Sequence, residues 1–372
     1  MIGRAVRLEI DLAAVVSNAR AVTAALAPGA RLFACLKGDA YGCGIRLVAP
    51  ALAGLGVHSF AVGALSDAIA LRAAGIDGEI LLYPNCLPDS HEVIAAHGLT
   101  ITLSSEAEAL AWDAVAAPGT PAFLKIDTGA LRAGVLPAAA RALGDVLRGL
   151  RRVRIAGAYA HLHLPRPTGM QGSARWQFER FGEAVDALRA DGLVLPTRMV
   201  SGTAAFLEYP DMDLDAVDPG RVLFGLGFDA TRRSLALKPA LSRWSARLLL
   251  AKTVSPADAN PFGGPFPLAG TTRIGLIPVG WGDGLPRAVP QDMRVMVRGR
   301  RVPVLPPSHF EHLRVDLTSV PEADFGDEVV LLGRQGDATI GLDELATWFG
   351  RDPLHLLGTL PRHLERVAAP GP

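Results

Sequence analysis

The chain has 372 residues, enough for two ordinary cores rather than one. Hydrophobic residues make up 49% and charged residues 20%, which excludes a disordered chain. Lys+Arg and Asp+Glu balance at 37 each, so no electrostatic reason exists to expect nucleic acid or a membrane as partner, and a small molecule is the better expectation. Cys35, Cys43 and Cys86 show no metal-ligand spacing and cannot all pair, which suits reduced thiols in the cytoplasm. The opening MIGRAVRLEID is broken by Arg4, Arg7, Glu9 and Asp11 and lacks the apolar run of a secretory leader. No later run approaches the length of a membrane span.

In chain order, the first predicted element is a helix that Asp11 can cap, with Leu12, Val15, Val16, Ala19, Val22 and Leu26 on one stripe. Eight short apolar runs follow: RLFACLK (31–37), SFAVGA (59–64), EILLYP (79–84), TITLSS (100–105), AFLKID (122–127), IAGAYAHLH (155–163), RMVSG (198–202) and RVLFGL (221–226). Most are separated by Ala- and Leu-rich helical stretches. Continuous apolar strands alternating with helices indicate a parallel sheet covered on both faces, and eight units suit a closed (β/α)8 TIM-type barrel. A doubly wound sheet is the alternative, but no G-x-G-x-x-G follows any strand. Beyond about residue 235 proline and glycine become frequent, and the runs RIGLIPVG, MRVMVRG, RVPVL, LRVDL and DEVVLLG predict a mostly antiparallel β domain. The expected fold is thus α/β, with the barrel over 10–235 and the β domain over 1–9 and 236–372.

The segment ACLKGDAYGCG (34–44) is a strand ending in lysine, followed by a tight Gly/Asp turn and a tyrosine. Residues at the C-terminal ends of barrel strands face the active site. A lysine walled in there would be poorly hydrated, with a lowered pKa and usable nucleophilicity toward an aldehyde. The alternative is an ordinary strand-end lysine reaching solvent.

This segment resembles the lysine motif V-K-A-x-A-Y-G-H-G of bacterial alanine racemases, with Cys43 in place of the histidine. The resemblance runs along the chain: RAVRLEIDLAAVVSNARAV (4–22), LKIDTGALRAGV (124–135), SGTAA (201–205), VDPGRVLFG (217–225), IPVGWGDGLPR (277–287) and GDEVVLLGRQGDATIGLDELA (326–346) each match a family segment in order. It implies pyridoxal 5'-phosphate (PLP) held covalently by Lys37, which would also be a catalytic base. Tyr41, Thr203, Gly220 and Arg221 would serve the phosphate. Arg132 would meet the cofactor's phenolic oxygen and the substrate carboxylate, and His161 would stack near the ring. Lys125 matches a lysine that the family often carbamylates. An amino-acid substrate and a head-to-tail homodimer with shared active sites are also implied, and no metal is expected.

Several positions depart from that pattern. The tyrosine that serves the second face falls on Phe262, which can neither donate nor accept a proton. The carboxylate-contacting C-M-D-Q element falls on HFEH (309–312), so His309 or Glu311 becomes a candidate replacement acid/base and Phe310 a substrate neighbour. Cys43 is a third candidate. Were 309–311 a strand, His309 and Glu311 would share a face, the minimum for a metal site. Trp281 replaces an entrance tyrosine, and the second phosphate tyrosine falls on Leu354. Asp218 replaces an arginine facing the pyridine nitrogen; it either contacts that nitrogen, favouring a stronger electron sink, or pairs with Arg221. Three functions compete: a racemase or epimerase with a substituted second base, a one-face decarboxylase, aldolase or transaminase, and a non-catalytic PLP-binding protein.

Overall fold

The computed structural model describes residues 5–166 and 168–370. The outermost positions of the expected β domain, 1–4 and 371–372, lie outside the described residues. The chain divides into two compact units, Ala13–Lys238 and Met1–Leu12 with Pro239–Pro372.

The first strand in the chain, β1 (Val6–Ile10), belongs to the second unit. The first unit is built from β2 (Arg31–Cys35), β3 (Ser59–Val62), β4 (Glu79–Leu82), β5 (Ile101–Leu103), β6 (Thr120–Ile126), β7 (Val153–Ala160), β8 (Thr197–Ser201) and β9 (Ala216–Val217). They form one 8-stranded parallel sheet in the order β4-β3-β2-β9-β8-β7-β6-β5. A parallel bridge between Leu81 and Thr100 joins β4 to β5 and closes the ring. Intervening helices such as Ile45–Gly54, Leu65–Ala73, Glu106–Val115 and Gln171–Ala190 supply the outer layer. Phe33, Ala61, Leu81, Phe123, Tyr159, Met199 and Ala216, one from each barrel strand except β5, pack together as the core of the barrel. Gly157 makes room for this packing, since a Cβ there would stand 2.7 Å from the Phe123 ring.

Three expectations need correction. The eighth strand is not RVLFGL: Arg221–Phe224 is a turn of 3-10 helix, and the strand is the two-residue Ala216–Val217. Asp218 N still donates to Ser201 O at 3.0 Å, but Pro219 has no N–H to continue the ladder. The sixth run, IAGAYAHLH, is strand only as far as Ala160, so His161 and His163 lie beyond it. The inner face of the first helix, Leu12–Ala24, is formed by Ala14, Val15, Asn18, Ala19 and Val22. Asn18 earns its buried place by donating to Leu223 O and Lys238 O and accepting from Lys238 N.

The second unit is mostly antiparallel. Its strands are β10 (Leu241–Arg247), β11 (Leu250–Val254), β12 (Thr272–Ile277), β13 (Arg294–Val297), β14 (Arg300–Leu305), β15 (Leu313–Asp316), β16 (Glu328–Gln335), β17 (Ala338–Ile340) and β18 (Glu365–Ala368). The main path is β11-β12-β15-β14-β13-β16-β10-β1-β18, with β17 on β16. β1 lies antiparallel to β10 and parallel to β18. Among the described residues no helix is long and apolar enough to cross a membrane.

Candidate active site

The C-terminal rim of the barrel begins with an unusual turn. After β2, Gly38, Asp39, Ala40, Tyr41 and Gly42 all have positive φ, between 53° and 78°, so the chain winds left-handed. Such a conformation costs about 1–2 kcal/mol for each residue with a Cβ and persists only where surroundings hold it. Asp39 supplies part of the hold: its Oδ1 accepts from Ile45 N at 2.8 Å and its own N–H donates to Asp67 Oδ2 at 3.3 Å. Gly42 N and Gly44 N close the turn on Gly38 O and Asp39 O.

The turn aims Tyr41 across the rim toward Gly220. A Cβ on Gly220 would fall 2.1 Å from the Tyr41 hydroxyl, so only glycine fits. Gly220 N donates to Thr203 Oγ1 at 3.1 Å, which leaves the Thr203 proton free to be offered elsewhere. Burial and the neighbouring Cys35 push the Tyr41 phenol well above its ordinary pKa, so it remains a donor. Tyr41, Thr203 and Gly220 therefore come together at the rim, with the Gly220 N–H already given to Thr203. Arg221 sends its guanidinium to Leu226 O and Gly227 O and lies 4.2 Å over the Phe228 ring.

A cavity of about 240 Å³ opens beside this cluster, lined among others by Lys37, Tyr83, Lys125, Arg132, His161 and Asp218. Lys37 is exposed to it, which overturns the expectation of a poorly hydrated amine at that position. The burial falls on Lys125 instead. Lys125 is 6% exposed, with its Nζ 4.1 Å over the Tyr159 ring. Burial lowers its pKa to about 7, and the positive charges of Arg132 and Lys37 add to the effect against the pull of Asp218. His161 opens onto the cavity, yet its enclosure by protein and the cations Lys125, Lys37 and Arg132 push its pKa down to about 3. It is a neutral imidazole at any ordinary pH.

Arg132 is presented by the loop after β6. Asp127 gathers that loop: its carboxylate accepts from Gly129 N at 3.0 Å, Leu131 N at 3.2 Å and Arg132 N at 2.7 Å. Burial works against its charge, but these backbone donors hold the Asp127 pKa below the usual carboxylate range. Asp218, 7% exposed, follows β9. Its Oδ2 accepts from the Tyr83 hydroxyl at 2.7 Å rather than pairing with Arg221, and its Oδ1 is buried without a partner. Tyr83, Asn85, Asp127 and Tyr159 escaped sequence reasoning. Tyr83 follows the last residue of β4, so the strand-end rule that selected Lys37 would have found it.

The remaining candidates belong to the second unit. Residues 308–312 form a turn, not a strand, so the shared-face premise for a His309–Glu311 metal pair fails. His309 N bonds His312 O at 2.9 Å, while Trp281 N and Gly282 N bond His309 O and Phe310 O, both at 2.9 Å. His309 and Glu311 are exposed. Trp281 and Phe310 meet edge-on with ring centroids 4.4 Å apart. Phe262 is 97% exposed. Cys43, in the barrel unit, is wholly buried with its Sγ 4.0 Å from Tyr41 O, an unsuitable place for a substrate acid/base. Among the described residues no group of three or more His, Cys, Asp or Glu stands ready to hold a metal ion.

A closed βα barrel with a polar cavity at its C-terminal rim, followed by a largely antiparallel sheet, defines a class of barrel enzymes acting on small molecules. Residues 10–227 match the family model described as alanine racemase, N-terminal domain, and residues 241–368 match alanine racemase, C-terminal domain. The chain belongs to the alanine racemase family. It is 31% identical over 368 residues to an alanine racemase of Desulfovibrio desulfuricans, covering 98% of each chain. With one from Halothermothrix orenii it shares 30% over 342 residues, 91% of this chain and 90% of the other. Among solved structures, the biosynthetic alanine racemase of Pseudomonas aeruginosa is 28% identical with a TM-score of 0.79, covering 98% of this chain and 99% of the other. A Clostridium difficile alanine racemase, at 24% identity, shares the fold with a TM-score of 0.89 over 99% of this chain and 97% of the other.

Proposed function

We propose that this chain is a PLP-dependent amino-acid racemase or epimerase whose second base is not the tyrosine of its relatives. The observation that carries the reading is one cavity onto which the Lys37 amine, Arg132 and Asp218 all open, in a chain whose full-length relatives are alanine racemases. The residues fit the cofactor's groups: an exposed amine for its aldehyde, the Tyr41 and Thr203 hydroxyls for its phosphate, and an unpartnered buried oxygen of Asp218 for its ring. PLP, when bound, supplies an aldehyde that captures amino groups and a conjugated ring that draws electrons from the substrate Cα.

Lys37 holds the cofactor and, once released by substrate, takes or returns the Cα proton on one face. Arg132 binds the substrate carboxylate, which orients Cα toward Lys37. His161, neutral, packs near the ring without adding charge. Lys125, an amine near neutrality at pH 7, is chemically able to add carbon dioxide and release a proton, which would give Arg132 an anionic neighbour. For the opposite face we assign His309 or Glu311, presented by the second unit of a partner in a head-to-tail homodimer; Phe262, Trp281 and Phe310 would line the substrate side. Incubation with PLP and an amino-acid panel in deuterated water, with chiral mass analysis of all products, tests this. Deuterium entry from both enantiomers, with inversion, is expected; exchange from one enantiomer alone would sink it.

A second reading is favoured by Asp218. A carboxylate at the ring nitrogen promotes a stronger electron sink than an arginine does, which suits decarboxylation, transamination or aldol cleavage on one face. Carbon dioxide, a keto acid or an aldehyde in the same panel would select it.

A further inference from the structure

We propose that Tyr83 is a positioning residue that fixes the Asp218 carboxyl with one oxygen free for the protonated nitrogen of the cofactor ring. This rests on the reading of PLP at Lys37 and extends it to a residue that reading leaves without a role.

Tyr83 follows β4, and its backbone N–H donates to Val62 O at 2.9 Å. Its ring packs against the barrel core and lies 5.9 Å, centroid to centroid, from that of Tyr159. The phenol is therefore held at both ends, by strand pairing and by packing. It reaches the barrel wall at Asp218, whose own N–H is tied to Ser201 O at 3.0 Å and whose next residue is Pro219. The hydroxyl donates to Oδ2 at 2.7 Å. Oδ1 is left buried with no partner, in a residue that lines the cavity. A buried acceptor without a donor is costly, and a donor supplied by a ligand removes that cost.

Electrostatics assign the phenol a second task. Burial pushes the Asp218 carboxyl toward its neutral form, while the Tyr83 hydrogen bond and the charges of Lys37 and Lys125 pull it back toward carboxylate. Tyr83 cannot compete for the negative charge, because burial and Asp218 itself raise its own pKa well above the ordinary phenol value. The net push on the Asp218 pKa is upward, so Tyr83, which can only give a hydrogen bond, partly offsets burial and leaves Oδ1 as the oxygen open to a cationic donor. His161 stands on the same side; a Cβ on Gly202 would lie 3.4 Å from its ring and 3.7 Å from Asp218 Oδ1. An imidazole turned onto Oδ1 would satisfy the carboxyl without any ligand.

The experiment loads the full-length protein with PLP carrying ¹⁵N in its ring and reads the nitrogen shift. The wild type should show a pyridinium, Asp218→Asn a neutral pyridine, and Tyr83→Phe a shift from the first toward the second. In parallel, each protein's affinity for PLP is compared with that for the carbocyclic analogue bearing C–H in place of the ring nitrogen. The preference for PLP should fall about tenfold in Tyr83→Phe, the loss of roughly one hydrogen bond to a charged group, and further in Asp218→Asn. The ratio cancels any general weakening of the site. A wild-type pyridinium signal and an unchanged preference in Tyr83→Phe would overturn the assignment while leaving the cofactor reading intact. Borohydride trapping in the same samples separates the two: a wild type that carries no pyridoxyl group on Lys37 fails at the earlier step and takes this inference with it.

Discussion

Two lysines stand at the C-terminal rim of one barrel in opposite circumstances. Lys37 follows β2, is exposed to the cavity, and leads into a left-handed turn. Lys125 lies inside regular β6, buried against Tyr159, with a pKa lowered to about 7. Burial and reach are therefore separate properties here. Desolvation brings the Lys125 pKa down to about 7 but encloses the amine, while the strained turn after β2 leaves Lys37 in the open, where an incoming aldehyde can meet it.

Removing Lys37 gives the largest expected effect. Lys37→Ala should abolish borohydride-trapped pyridoxyl and lower turnover by about a thousandfold or more. Peptide mass analysis should find Lys125 unlabelled; a label there would break the distinction between the two amines. Lys125→Met should come next, acting on stability. The unfolded lysine titrates near 10.5 and the folded one at about 7, so between these values the unfolded chain binds more protons and wild-type stability rises with pH. Below about pH 7 the buried charge penalises the fold in full. The variant, freed of that penalty, should be more stable by on the order of a few kcal/mol at pH 6, the gain shrinking toward pH 10. Calorimetry in buffers purged of carbon dioxide reads this directly.

Gly220→Ala tests the frame around Lys37. The new Cβ would collide with the Tyr41 hydroxyl, and displacing that donor should weaken PLP binding by about ten- to a hundredfold in an absorbance titration. The smallest effect belongs to Asp39→Ala, which removes the acceptor of Ile45 N. Loss of about 1 kcal/mol of stability is expected in urea unfolding, with covalent capture at Lys37 preserved.

Much of the barrel was legible in the sequence because its strands are buried on both faces and read as unbroken apolar runs. β9 was not: two residues, Ala216 and Val217, are too short to give a period, while the neighbouring RVLFGL is apolar enough to imitate a strand. In the second unit β12 to β16 showed as runs, but β10 carries Ser242, Arg243 and Ser245 and β11 carries Lys252 and Thr253, which blur the pattern. At the site, Lys37, Arg132, His161 and Asp218 were reachable through motif resemblance and do share a cavity. The distribution of burial between Lys37 and Lys125 was not reachable, since it depends on which strand carries each amine past its neighbours. Tyr83 was missed because a strand-end tyrosine resembles ordinary core material until its partner, 135 positions away, is known. The strand geometry that a His309–Glu311 metal pair would have needed could not be tested from the sequence, because the bend at 308–312 is fixed by bonds from Trp281 and Gly282, far off in sequence.

The placement of β1 between β10 and β18 has a consequence for how the chain is made. β1 cannot find either neighbour until more than two hundred further residues have emerged, and its parallel partner β18 follows well after β10. The sheet of the second unit must therefore close late, after the whole barrel has had time to form during synthesis. A nascent chain stalled before residue 365 would carry an unfinished sheet edge, a ready template for pairing with another copy.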